Sequence, residues 1–193
     1  MTAYQAALLV HLLALLAASS ASALVHFAAR RKAQAPGLRE ALEWGKVVAT
    51  TARIFPIAVV ALVASGAWMT AARWGWSTGW VEAGFAGAVL LLVSGAVLGT
   101  RGAADARASV ARLQQAGHDL PNDARPDPVA ALLGEANTGL ALAIVVVMTL
   151  KPALLPSLLV LALGAAAFAW RGMARVRAAA GAAPATQGDA QAA

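Results

Sequence analysis

The chain has 193 residues, of which 60% are hydrophobic and 12% charged, with a formal charge of +6 and a mean hydropathy of +0.68. Soluble domains carry about 25% charged residues, so this balance excludes an ordinary soluble fold and predicts one membrane-embedded domain of four to six spans of about 20 residues. The basic excess flanks the apolar runs, where membrane topology accounts for it, and nucleic acid is therefore excluded as a partner.

The first predicted span covers about residues 4–29 and carries His11 and His26, which lie about 22 Å apart along a helix and within roughly 60° of rotation. Leu15, Ala18, Ser19 and Ser22 share their arc. Such a stripe suits either close packing of a neighbouring helix or the approach of a flat cofactor. No charged side chain precedes this run, whereas Arg30, Arg31 and Lys32 follow it, which predicts an anchor with an outward N-terminus rather than a cleaved signal peptide.

After a break at Ala33–Gly37, residues 38–46 read as an interfacial helix. The second span, about 51–72, holds Pro56 in its first turns and Arg53 at its boundary. Trp74, Trp76 and Trp80, with Trp68 a turn earlier, fit an interfacial belt better than an aromatic substrate platform. The third span, about 80–100, contains the pair Gly95 and Gly99, expected to pack within the chain rather than to dimerise. Helical pattern continues past the membrane to Gln115, with Gly117 as the expected C-cap.

The loop from His118 to Pro128 carries Asp119, Asp123 and Asp127, but its prolines prevent a shared helix face. It is expected to be a solvated loop, with His118 at the surface. The fourth span, about 132–150, has Glu135 and Asn137 one turn inside its start, and Arg53 is the expected partner of Glu135. The fifth span, about 153–170, precedes an Ala- and Gly-rich tail, residues 178–193, expected to be disordered. The predicted fold is thus an all-α polytopic transmembrane helical bundle, a four-helix core with a fifth C-terminal span.

Twelve Lys and Arg fall after spans one, three and five, and only Arg73 and Lys151 flank the opposite side. Five spans with the N-terminus outside and the C-terminus in the cytoplasm satisfy the positive-inside rule. Sorted by depth, His11, Met69 and Met148 lie toward the outer leaflet, while His26, Arg53, Glu135 and Asn137 form a polar group toward the inner one. With no cysteine present, imidazole and thioether are the soft donors available, a set suited to Cu(I) or haem iron. Methionines at helix ends also serve as packing filler.

The first span with His11 in VHLLALL, the segment SGAWM (Ser65 to Met69) before the tryptophan-rich link, and MTLKP (Met148 to Pro152) resemble a group of uncharacterised bacterial integral membrane proteins. That group is similar in outline to the CopD-type and HemJ-type four-helix membrane proteins, and the resemblance covers roughly residues 5 to 152. It implies residence in the bacterial cytoplasmic membrane and handling of haem b or copper through His11, with Met69 or Met148 as second ligand. The alternatives carried forward are a cofactor-free structural or assembly partner of another membrane protein, or a homo-oligomer. Transport or proton relay through Glu135, His26 and Arg53 is the weaker reading, since the spans show no inverted repeat. Nothing in the pattern argues for an enzyme.

Overall fold

The computed structural model describes residues 2–122 and 127–181, with side chains to residue 178. Asp123 and Arg125 of the central loop, and the expected tail from residue 182 onward, lie outside the described residues. Six helices follow one another: α1 (Ala3–Gln34), α2 (Leu38–Ala52), α3 (Ile54–Met69), α4 (Gly79–Ala116), α5 (Pro128–Leu150) and α6 (Leu154–Gly181). α2 and α3 run on as one rod, and this rod and the other four helices are each long and apolar enough to cross a membrane. The chain is a multi-pass helical membrane protein.

Local chemistry explains most of the boundaries. Thr2 and Gln5 close a capping box at the start of α1, each side chain satisfying the other's backbone N–H. Proline 56 has no N–H for the carbonyl of Ala52, and the rod breaks at Arg53, between α2 and α3. α3 widens into a π turn over Thr70–Trp74, closed by the Gly75 N–H on the Thr70 carbonyl at 2.9 Å. Gly75 leaves it with φ 78°, which only glycine adopts without strain. α4 extends well beyond membrane thickness and stops at Gly117, in the left-handed region as expected for a C-cap. α5 starts with Asp127 as N-cap and Pro128 at the first position, and ends at Lys151, also left-handed.

The helices form two groups. α1 packs along α2 and α3, while α4, α5 and α6 pack on one another, and the seam between α5 and α6 is the most extensive. The fifth span is therefore part of the core and not an appendage. Its seam is set by glycines: a Cβ on Gly139 would sit 2.1 Å from the carbonyl oxygen of Gly164, and one on Gly172 would sit 2.9 Å from that of Ala131. Without side chains at these points the backbones touch, and in lipid such packing replaces the hydrophobic drive that water would supply. Ala83, Leu140, Ala143, Val147 and Leu161 form the buried cluster of this half. Gly95 and Gly99 do not contribute. Their Cβ positions, and that of Gly102, meet nothing within 4 Å, so the intramolecular packing expected of the GxxxG pair falls to other glycines.

The two groups are tied at both ends. At the Tyr4 end, Trp74 Nε1 donates to the Tyr4 hydroxyl at 3.4 Å and the Trp74 and Trp80 rings meet edge to face at 5.3 Å. At the opposite end Lys32 pairs with Asp105 at 2.5 Å. The described start of the loop, residues 118–122, is held by hydrogen bonds to α1 and α2. The Asn122 amide donates to the carbonyls of Lys32 and Ala35, both at 3.0 Å, and an Asp119 carboxylate oxygen accepts the N–H of Arg39 at 3.0 Å. Asn122 thereby caps the C-terminus of α1, and Asp119 caps α2, whose own N-cap residue is Gly37 and has no side chain to do so. His118 is exposed, as expected.

Candidate functional site

His11 faces α3. Its Nδ1 lies 3.0 Å from Ser65 Oγ, and the Ser65 hydroxyl is 2.5 Å from the carbonyl of Ala61, one turn back on its own helix. A serine has one proton to give. With that proton on the Ala61 carbonyl, His11 donates from Nδ1, and its Nε2 retains the lone pair. The ring lies against Gly66, where a Cβ would be 3.5 Å from Cε1. Ser65 and Gly66 of the SGAWM segment thus act together, one orienting the imidazole and the other making room for it.

Of the other soft donors, Met148 does not join it. Met69 lies one turn beyond Ser65 on the same side of α3, but Met148 turns into the α4 seam, its methyl carbon occupying the space where a Gly84 Cβ would stand. Among the described residues no group of three or more His, Asp or Glu is placed to hold a metal ion. What the structure shows there is one imidazole held in place by Ser65, with Met148 turned to another seam. A groove of about 350 Å³ runs between α1 and α3, lined by apolar side chains such as Ala14, Ala17, Ala58 and Ala61, and His11 is not among its walls.

The polar group expected toward the inner leaflet separates into ties that radiate from α5. His26 Nδ1 donates to the Ser22 carbonyl at 2.8 Å and its Nε2 lies 3.2 Å from Thr138 Oγ1, so both ring nitrogens are engaged. Asn137 accepts from Ser94 of α4 at 2.6 Å. Glu135, buried, pairs with Arg175 of α6. Arg53, the partner expected from depth, is exposed at the junction of α2 and α3. One turn of α5 therefore sends Glu135, Asn137 and Thr138 to three different helices. This arrangement ties the bundle together: a guanidinium faces the carboxylate and the imidazole is tied to a hydroxyl.

Outside the membrane-crossing segments, Asp127 accepts from Arg101 Nη1 at 2.8 Å and from the N–H of Val129 at 2.9 Å. Desolvation, the largest single influence, pushes its carboxyl up, but the Arg101 hydrogen bond and charge and the amides of Val129 and Ala130 together hold it below its ordinary value.

No known family model, curated protein or solved structure matches the chain.

Proposed function

We propose that this chain is a cofactor-free assembly partner in the bacterial cytoplasmic membrane, with its N-terminus outside and its C-terminus in the cytoplasm, offering α4 to a helix of another membrane protein. The observation that carries this reading is the open run Gly95, Gly99 and Gly102. Gly84 falls on the same arc of α4 to within about 60° and is filled by Met148, as Gly139 and Gly164 fill each other, whereas the three later glycines meet nothing. Bare backbone at helix spacing is what a second helix needs for close approach in lipid. The test is affinity purification of the tagged chain from native membranes after mild cross-linking. A discrete partner should co-purify with the wild type and be lost from Gly99→Leu. Recovery of the same material with both chains would refute the reading.

A second reading, a haem b helper, has one specific observation in its favour: Ser65 engages Nδ1 of His11, so Nε2 is the ring nitrogen that an iron would take. Copper has less support, because Met148 belongs to another seam. An absorption spectrum and metal analysis of the detergent-purified protein decide it. A Soret band lost in His11→Ala would replace the assembly reading with the haem one.

A further inference from the structure

Positive charge is scarce at the Tyr4 end of the bundle. Among the described Lys and Arg, only Arg73 and Lys151 belong there, yet the fold brings both to one aromatic cluster formed by Tyr4 with Trp74 and Trp80. The Arg73 guanidinium lies 5.6 Å from the centre of the Tyr4 ring, and the Lys151 ammonium lies 4.1 Å from that of Trp74 and 5.7 Å from that of Trp80. Tyr4 and Trp74 are themselves hydrogen-bonded, so the two cations flank one continuous aromatic unit.

The placement of Lys151 is enforced by the backbone. Pro152 disfavours the right-handed helical region for the residue before it, and Lys151 takes φ 51° and ψ 49°, a conformation costly for a residue with a Cβ. Its N–H still closes α5 on the Val147 carbonyl at 2.9 Å. Both cations are exposed, and neither is paired with a carboxylate among the described residues; Glu82, in the first turn of α4, forms no ion pair there. Elsewhere in the chain Lys32, Lys46, Arg101 and Arg175 do have carboxylate partners. Two exposed cations without an anion, at the depth that tryptophans mark as the headgroup layer, leave the negative charge to come from the membrane.

We propose that Arg73 and Lys151, held on the Tyr4–Trp74–Trp80 cluster, bind the phosphate of an anionic phospholipid in the leaflet at that end. The guanidinium supplies paired donors to phosphate oxygens and the ammonium a point charge. The indole and phenol rings hold the cations at headgroup depth while leaving their outer faces open to the lipid. This site is independent of the α4 glycines and of His11.

Native mass spectrometry of the full chain, delipidated in detergent and offered phosphatidylglycerol or phosphatidylcholine with the same acyl chains, tests the site. The wild type should retain phosphatidylglycerol preferentially. Arg73→Gln and Lys151→Gln should each lower retention roughly fivefold, as expected for losing one basic side chain at an anionic surface. Lys151→Arg, which keeps charge and ring contact, should restore it, and Arg171→Gln at the far end should leave it unchanged. Thermal melts of each variant separate lipid loss from unfolding. Equal retention of the two lipids by the wild type, or unchanged retention in the Arg73→Gln and Lys151→Gln double variant, overturns the proposal. Displacement of phosphatidylglycerol by millimolar inorganic phosphate would assign the site to a soluble phosphate group and overturn its assignment to lipid.

Discussion

Nδ1 of His11 stands 3.0 Å from Oγ of Ser65, joining α1 to α3 across 54 residues of chain. Hydrogen bonds between membrane helices contribute on the order of 0.6 kcal/mol, with a ceiling near 1.7. A double-mutant cycle of His11→Phe and Ser65→Ala, followed by unfolding in mixed micelles, should return a coupling of about that size. A coupling near zero would mean that the two side chains do not interact in the folded protein. Gly66→Leu should weaken the same seam without removing either polar group, because the ring of His11 occupies the space.

The glycines divide into two classes with opposite expected outcomes. Gly139→Ala puts a methyl 2.1 Å from a backbone oxygen of α6, where no rotamer can relieve the clash. Overpacking of that kind costs about 1–3 kcal/mol, and α6 should detach first, as a fall in protection from hydrogen exchange along that helix. Gly99→Ala meets nothing, and the gain in helix propensity of about 1 kcal/mol makes it neutral to stabilising in the isolated chain. If Gly99→Ala were the more damaging of the two, the seams would have been assigned to the wrong glycines.

The spans were legible because each signal is local. A run of about 20 apolar residues, an arginine cluster after it and a glycine where a helix must stop can be read without knowing any neighbour, and Gly117 ends α4 where that reading puts it. The contacts that assemble the spans are not local. Gly139 and Gly164 lie on different helices, so no spacing motif joins them, whereas Gly95 and Gly99 advertise a motif and pack on nothing. The SGAWM segment could be noticed, but the partner of its serine lies on another span. Depth alone offers Glu135 Arg53, with Arg175 beyond the expected end of the fifth span, and it is the close approach of α5 and α6 that brings Arg175 to the carboxylate.

Asp119 reaches α2 across 80 residues to accept the N–H of Arg39. Losing an N-cap costs about 1 kcal/mol, so Asp119→Ala should lower stability by that order and expose the Gln34–Leu38 connection to protease. Gly37→Ala should do the same by another route, since its Cβ would stand 2.5 Å from an Asp119 carboxylate oxygen. Unchanged cleavage in both variants would show that the strap does not hold in solution.

Asp127 provides a pH dependence whose sign can be worked out. Its carboxyl is held below its ordinary value in the folded protein: desolvation, the largest single influence, pushes it up, and Arg101 and the amides of Val129 and Ala130 together outweigh it. The unfolded chain therefore binds the proton more readily, and the contribution of Asp127 to stability is complete above the ordinary carboxylate pKa of about 3.9 and is lost as pH falls through the lower folded value. Thermal midpoints of the wild type should drop over that acid window more steeply than those of Asp127→Asn, and the two slopes should coincide above pH ~5. A variant with the same acid slope as the wild type would rule out this carboxylate as a contributor.

The ion pair of Glu135 with Arg175 carries the last prediction, because it discriminates between the two candidate partners. Glu135 is buried, its side chain 10% exposed, whereas that of Arg175 is 48% exposed. Removing the guanidinium leaves a carboxylate without its counter-charge among apolar helices, for which buried pairs elsewhere lose about 3–5 kcal/mol. Partial exposure of Arg175 places the expected loss for Arg175→Gln toward or below the lower bound. The double variant Glu135→Gln with Arg175→Gln should recover part of that loss, since two neutral amides can bond each other and no charge remains to be desolvated. Arg53→Gln should stay within about 0.5 kcal/mol of the wild type, as substitutions at exposed positions do. If Arg53→Gln were instead the damaging change and Arg175→Gln the neutral one, Glu135 would have to face the junction of α2 and α3, and α5 would be rotated from the position that Asn137 and Thr138 independently fix.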